Sequence, residues 1–238
     1  MSFDKAKRTF AYVDGFNLYH RALQRTPYRW IDPKALLEKV VKAPGSISHL
    51  MYYTARVSSK IDGDAPKKQK FYLDALDSLP GVEKCFGSFQ VRGKWRQLAN
   101  PATHFRPTPQ VVKVVNPEEK GSDVNLGAHL VRDAFQGKFS QAVVCTNDTD
   151  LCEPIRIVVE EVGLPVILVT PSDRSTQQSK REPIYTPKDL INAAGGAGFV
   201  YHMRRNHMRS ALLPDPVVLP SGKSIPMPPT WAKAAQLR

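Results

Sequence analysis

Short apolar runs alternate along the chain with segments whose apolar residues recur at helical spacing. Four runs are nearly all apolar, as is typical of strands covered on both faces, and they predict strands at residues 8–13, 47–55, 141–146 and 164–169. The helical spacing predicts helices at residues 32–41, 64–79, 122–135 and 150–163. This alternation favours a three-layer α/β/α domain with a mainly parallel sheet.

One basic and aromatic stretch, residues 85–116, interrupts the alternation and contains no acidic residue. Its basic residues are Arg92, Lys94, Arg96, Arg106 and Lys113, and its aromatic residues include Phe86, Phe89, Trp95 and Phe105. The pattern predicts a β-hairpin insertion that turns near Arg92–Gly93. Such a hairpin would bind single-stranded nucleic acid by stacking on bases and contacting phosphates. The alternative is a structural hairpin whose aromatic side chains pack on the core.

The last part of the chain is rich in proline and predicts an extended strap or linker. We divide the chain into a domain at residues 1–202 and a basic, proline-rich extension at residues 203–238. The extension begins with Arg204 and Arg205, which are candidates for contact with RNA, and it also contains Trp231. Because a free linker would rarely carry so many apolar groups, we expect the extension to lie along the domain or across a second copy in a homodimer.

Composition and charge limit the binding partners and the cellular location that we expect. The 238 residues carry a formal net charge of +12, which suggests a polyanionic partner such as nucleic acid, although a merely basic protein fits as well. Three unclustered cysteines argue against a disulfide framework or a zinc site and fit a reducing cytoplasm. We expect no membrane association and no signal peptide, since no apolar run approaches spanning length and the first residues are polar.

Acidic side chains follow predicted strands or open predicted helices at three places. Asp14 ends the first strand, Asp123 opens the helix after the basic stretch, and Asp148 and Asp150 follow a later strand. Because the carboxyl ends of parallel strands share one edge of the sheet, all four carboxylates are expected there. Hard oxygen ligands without His or Cys suit Mg²⁺ or Mn²⁺. Taken singly, each aspartate is also explained as a cap of a turn or helix.

Three motifs resemble the NYN domain of the PIN-like nuclease superfamily, the LabA-type proteins. They are "YVDGFNLYH", "EKGSDVNLGAHLVRDA" and "AVVCTNDTDLCEPIRIVVEEVGLPVILV", and the match covers roughly residues 8–200. The pattern of that family places Asp14 with Asn17, Lys120 with Asp123, and Thr146 with Asp148 and Asp150. Asn147 and Cys152 depart mildly from it.

The resemblance implies a PIN-like fold and a metal-dependent endoribonuclease. On this hypothesis, Asp14, Asp123, Asp148 and Asp150 hold Mg²⁺ or Mn²⁺ and a metal-bound water attacks a phosphodiester of single-stranded RNA. The expected substrate-binding residues are Asn17, Lys120, Thr146, Arg92, Lys94, Arg96, Arg204 and Arg205. Gly15 is expected to let a phosphate approach closely.

Two other functions fit the same sequence. The first is a non-catalytic RNA-binding or regulatory protein with the same fold. The second is a pyridine-ring hydroxylase, since some bacterial chains of similar architecture are described as hydroxylases of the 6-hydroxy-3-succinoylpyridine type. Hydroxylation normally needs a flavin, haem or iron cofactor, and the chain contains neither a G-x-G-x-x-G motif nor a visible two-His-one-carboxylate spacing.

Overall fold

A computed structural model describes residues 8–43, 46–60, 62–99, 111–171 and 185–236. Its centre is a six-stranded sheet formed by β1 (Thr9–Asp14), β2 (Ile47–Thr54), β3 (Val82–Phe86), β6 (Gln141–Cys145), β7 (Val166–Thr170) and β8 (Val200–His202). The strand order is β3-β2-β1-β6-β7-β8, and every neighbouring pair is parallel. The predicted α/β class with helices on both faces is confirmed.

Eight α-helices accompany the strands in the described part of the chain. They are α1 (Gly15–Leu18), α2 (Pro33–Val40), α3 (Ala65–Leu76), α4 (Ser122–Phe135), α5 (Cys152–Arg156), α6 (Lys188–Ala193), α7 (Arg205–Arg209) and α8 (Pro229–Gln236). The predicted helix at 122–135 is confirmed at both ends. The one predicted at 150–163 is divided into a 3₁₀ turn, α5 and a π-helical turn. None of the described helices combines the length and apolar character needed to cross a bilayer.

The sheet separates two hydrophobic clusters. One contains buried residues of α2 and α3, with Trp30 and the extension, and the other contains residues of α4, α5 and α6. Strands β1 and β6 contribute side chains to both clusters, which explains why their sequences are apolar at nearly every position.

A two-stranded antiparallel ribbon, β4 (Ser88–Gln97) with β5 (Val111–Lys120), replaces the predicted short hairpin. The prediction of a turn near Arg92–Gly93 is wrong, because β4 runs through this pair and Gly93 lies opposite Val115. The side-chain stem of Lys113 covers Gly93, so the glycine accommodates a cross-strand neighbour rather than a turn. Phe105 and Arg106 lie outside the described residues.

The extension packs on the domain of the same chain, which is one of the two predicted arrangements. Trp231 is buried, its ring centroid lies 6.4 Å from that of Trp30, and the guanidinium of Arg29 lies over it. The indole N–H of Trp30 donates to the carbonyl of Pro214. The extension is not extended throughout, since it includes α7, α8 and the short strand pair β9 (Val217–Val218) and β10 (Ser224–Ile225).

Candidate active site

The acidic residues gather where the strand order reverses. Strand β1 lies between β2 and β6, so the chain leaves β1 toward one side of the sheet and later returns on the other. Asp14 is the last residue of β1, and Thr146 and Asp148 follow β6, its direct neighbour. Open parallel sheets bind ligands at this switch point because the flanking loops diverge and leave a crevice.

Hydrogen bonds fix the Asp14 carboxylate. Its Oδ1 accepts from the backbone N–H of Asn17 at 2.9 Å and its Oδ2 accepts from the hydroxyl of Thr146 at 3.2 Å. The hydroxyl oxygen of Thr146 accepts in turn from the backbone N–H of Asp148 at 3.1 Å. The two strand ends are therefore joined by one network in which Thr146 orients Asp14 and does not itself face a ligand.

Asn17 and Gly15 have structural roles that differ from the expected ones. The side-chain oxygen of Asn17 accepts from the backbone N–H of Asn147 at 3.2 Å, which connects α1 to the loop after β6. A side chain at Gly15 would lie 2.6 Å from the ring of Tyr52 and 2.7 Å from the carbonyl of Tyr53. The glycine thus allows α1 to pack against β2, and this contact explains it without a phosphate.

Burial and mutual repulsion raise the pKa values of two carboxylic acids. Asp14 is 5% exposed; burial, and then the charges of Asp123 and Asp148, raise its pKa to about 7. For Asp123, burial and then the charges of Glu119, Asp148 and Asp150 raise the pKa to about 6. The structure therefore brings the four predicted aspartates within electrostatic range of one another.

Glu119 is a fifth acidic residue of this cluster that the sequence argument missed. It is the last residue but one of β5, just before α4, and its Oε1 accepts from the backbone N–H and the hydroxyl of Ser122. The spacing Glu119-x-x-Ser122 at a helix start was the available signal, since an acidic side chain there satisfies free N–H groups. Its charge acts on Asp123.

The basic residues proposed for substrate binding lie on the ribbon and at the start of α7. Lys94 forms an ion pair with Glu118, and Lys120 lies 3.9 Å from the same carboxylate. Arg92 and Arg96 are exposed on the ribbon. Arg204 and Arg205 lie at the start of α7, which packs against α2. Sequence distance concealed the pairing of Lys94, because Glu118 reaches it only after the chain folds back.

The prediction of Mg²⁺ or Mn²⁺ at Asp14, Asp123, Asp148 and Asp150 is wrong. Within the described ranges, no three His, Cys, Asp or Glu side chains form a group that could hold a metal ion. Both oxygens of Asp14 accept from protein donors, and Asp148 Oδ1 accepts from the N–H of Asp150 at 3.0 Å.

Aromatic rings lie beside the acidic residues. The ring of Phe16, two residues after Asp14, lies 6.1 Å from that of Phe89 on the ribbon, with an interplanar angle of 12°. The imidazole of His20 lies 5.9 Å from the ring of Phe16, with an interplanar angle of 14°. Three nearly parallel rings from two segments thus form an aromatic stack, which we define as His20, Phe16 and Phe89.

The comparisons with known proteins point away from nucleases. No protein-family model matches the chain. The chain is 27% identical, over 94% of its length and 75% of the relative, to the 6-hydroxy-3-succinoylpyridine 3-monooxygenase of Pseudomonas putida. A crystal structure of a Vibrio parahaemolyticus protein of unknown function covers 90% of this chain and all of its own, with a TM-score of 0.48 and 15% identity.

The similarity to a monooxygenase overturns three predictions. The Mg²⁺- or Mn²⁺-dependent endoribonuclease, its hydrolysis of phosphodiesters and its metal cofactor are wrong, because a relative that matches nearly the whole chain is named for oxygen insertion. The pyridine-ring hydroxylase, the last of the sequence alternatives, agrees better. The resemblance to the NYN domain stays a prediction.

Proposed function

We propose that the chain is a monooxygenase of hydroxylated pyridine rings. The observation that carries the proposal is the similarity over 94% of the chain to a protein named for this chemistry. In the proposed reaction, written for 2-hydroxypyridine, the ring C–H bond para to the hydroxyl group is replaced by C–O. One atom of O₂ enters the ring, and the other becomes water with two electrons and two protons from a nicotinamide-type hydride donor and solvent.

The acidic cluster supports the proposal by offering a proton acceptor. In a 6-hydroxypyridine, carbon 3 lies para to the hydroxyl group, so removal of the hydroxyl proton raises electron density at that carbon. Asp123 is half-buried, and its pKa of about 6 makes it a stronger base than an ordinary aspartate. At neutral pH Asp123 is nevertheless still mostly ionised. We assign it the role of accepting the hydroxyl proton.

The aromatic stack offers a place for the ring. Flat heteroaromatic rings favour offset stacking on other aromatic faces, and His20 is exposed at one end of the stack. Phe16 connects the stack to Asp14 through one short helix, so a ring on these faces would lie near the acidic cluster. This arrangement would orient the substrate while the carboxylates handle its proton.

A flavin, which would supply oxygen activation when bound, does not fit the described residues of this site. A flavin nucleotide carries a phosphate, whereas the cluster is acidic and the neighbouring Lys94 and Lys120 face Glu118. No glycine-rich strand-to-helix turn of the dinucleotide type occurs in the sequence. We therefore derive no step through a flavin.

The proposal is tested by oxygen uptake with a reduced nicotinamide nucleotide and 2-hydroxypyridine. The expected result is substrate-dependent oxygen consumption that Asp123→Asn removes. Asp64→Asn is the matched control, because Asp64 is exposed and its carboxylate makes no described side-chain bond at the start of α3. Equal, substrate-independent uptake in all three proteins would refute the proposal.

A second candidate function, RNA binding without catalysis, is favoured by one feature of the ribbon. Trp95 is 66% exposed, and Arg92, Arg96 and Lys113 form no ion pair with a described residue. An exposed indole beside free cations suits stacking on single-stranded RNA. If this function holds, Arg92→Ala with Arg96→Ala flattens the salt dependence of RNA binding, and Trp95→Ala weakens it at every salt concentration.

The predicted cytoplasmic location is part of the same proposal. All three cysteines are free, as expected in a reducing compartment. A fractionation experiment with an antibody against the chain tests it, and recovery with the periplasmic or membrane fraction would contradict it.

A further inference from the structure

The solvent-facing side of α4 carries a second apolar stripe. The inner side of this helix packs in the core through Leu126 and Leu130. The outer stripe, which we call the α4 stripe, has four apolar residues spaced four, three and four positions apart: Val124, Ala128, Val131 and Phe135. Residues three and four apart share one face of a helix, so α4 is apolar on two faces. Such a pattern is typical of a helix that is covered on both of them.

The α4 stripe is open to solvent along its length. Val124 is 74% exposed and Phe135 is 63% exposed, Ala128 is exposed, and Val131 is half-buried. Isolated apolar side chains are ordinary on protein surfaces, whereas a row of them on one helix face is typical of a site of association. Covering this row would be favourable, because it removes apolar surface from water.

The spacing makes the α4 stripe complementary to itself. Four, three and four positions read the same from either end, so a second α4 in the antiparallel direction places apolar residues against apolar residues at every step. Val124 then faces Phe135 of the second copy. Near the middle, Ala128 faces Val131, and its short side chain lets the two helices approach closely. A contact between two copies around a twofold axis requires this self-complementarity.

The charges at the two ends of α4 favour the antiparallel direction. The helix starts at the acidic cluster, to which Asp123 belongs. Near its end two cations, Arg132 and Lys138, share the carboxylate of Asp133 at 2.7 and 2.9 Å, which leaves an excess of positive charge. Antiparallel copies bring each acidic end towards a basic end, whereas parallel copies would bring like charges together. A second copy therefore complements the stripe in charge as well as in spacing.

We propose that the chain forms a homodimer in which the α4 stripes of two copies pack antiparallel. The 14 residues of α4 span about 21 Å, and a helix pair of this length lies near the lower size limit of specific interfaces, about 1,000 Å² in total. We therefore expect a dissociation constant in the micromolar range. The proposal does not depend on the monooxygenase assignment, because none of the four side chains belongs to the acidic cluster.

The test measures the mass of the full chain by sedimentation velocity, at concentrations from below to well above the micromolar range. The wild-type chain is expected to change from monomer to dimer as its concentration rises. Ala128→Glu should weaken the dimer at least about tenfold, as expected for a change at the centre of a small interface. The reason is that two carboxylates are then buried close together against apolar side chains. Glutamate is a good helix former, so α4 itself is preserved.

Two further variants make the result decisive. Ala197→Glu is the matched control and should dimerise like the wild type, because α4 packs against β3 at one edge of the sheet, whereas the exposed Ala197 precedes β8 at the other. Phe135→Ala should weaken the dimer without adding charge, and it decides the outcome if Ala128→Glu lacks a cooperative unfolding transition. A wild-type chain that stays monomeric at the highest concentration would overturn the proposal. Equal dimerisation of all four proteins, or loss of the dimer in Ala197→Glu, would overturn it as well.

Discussion

The acidic site and the β4–β5 ribbon are built in opposite ways. The acidic site joins the ends of two neighbouring strands and the start of α4, and buried hydrogen bonds hold Asp14 within it. Among the strands that the structure describes, those of the ribbon pair only with each other, and outer residues such as Trp95 and Val115 are exposed. Carboxylates that repel one another and are held together at a cost in stability are typical of catalytic sites. An exposed ribbon, in contrast, has a role only through the molecule that binds to it.

The largest expected effect is the loss of the proton acceptor. Asp123→Asn should reduce kcat/KM at least 100-fold, a typical contribution of general base catalysis. Because the pKa of Asp123 is raised to about 6, its basic form exists above that pH. The wild-type kcat/KM should therefore rise through about pH 6 and then level off, as measured by initial rates from pH 5 to 8. A kcat/KM that does not change with pH, together with an active Asp123→Asn variant, would show that Asp123 is not the proton acceptor.

The second prediction concerns the folding stability that the protein loses when the buried Asp14 is ionised. The pKa of Asp14 is raised from 3.8 to about 7 on folding, so its contribution to stability is present below pH 4 and is lost as pH rises through 7. Relative to the wild type, Asp14→Asn should gain at most roughly 4 kcal/mol of stability between pH 4 and pH 8, since each of the roughly three pKa units by which folding raises this pKa corresponds to about 1.4 kcal/mol.

Chemical denaturation at pH 4 and pH 8 measures this difference. The variant should gain stability relative to the wild type only at the higher pH. A variant that is less stable at both values would mean that the hydrogen bonds of Asp14 outweigh its burial.

The third prediction tests the contact between the two regions. Phe89 belongs to the ribbon and its ring lies beside that of Phe16 at the site, so Phe89→Leu should raise KM for a hydroxypyridine several-fold and leave kcat nearly unchanged. Loss of one aromatic pair corresponds to about 1 kcal/mol. An unchanged KM would show that Phe89 of the ribbon does not contribute to substrate binding.

The smallest effect is expected at the exposed face of the ribbon. Trp95→Ala should change the free energy of unfolding by less than about 0.5 kcal/mol, since surface changes seldom exceed this amount, and should leave hydroxylation unchanged. A destabilisation of several kcal/mol would show that Trp95 is covered in solution, for example by a second copy of the chain.

Much of the fold was predictable because the spacing of apolar residues along the chain directly indicates strands and helices. Strands that feed two hydrophobic clusters must be apolar throughout, and α4 follows directly from the spacing of Leu126, Leu130 and Ala134. Strands β3 and β8 were not predicted, since Val82–Phe86 and Val200–His202 are short edge strands that are only partly buried. Their patterns therefore resemble those of loops.

The candidate site was predictable in position but not in chemistry. Topology places Asp14, Asp123, Asp148 and Asp150 at one edge, and the structure agrees. Whether carboxylates bind metal depends on where their oxygens point, and the N–H of Asn17 and the hydroxyl of Thr146 fix the orientation of Asp14 only in the folded chain. Similarly, no spacing rule reveals that Glu118 neutralises Lys94.

The most direct test of the central claim follows the oxygen atoms. The purified chain is incubated under ¹⁸O₂ with a reduced nicotinamide nucleotide and 2-hydroxypyridine, and the product is analysed by mass spectrometry, with Asp123→Asn as the inactive control. The account predicts a hydroxylated ring that carries one ¹⁸O atom from O₂ and none from water. An absence of product, or a product whose new oxygen comes from H₂¹⁸O in the reciprocal experiment, would contradict it.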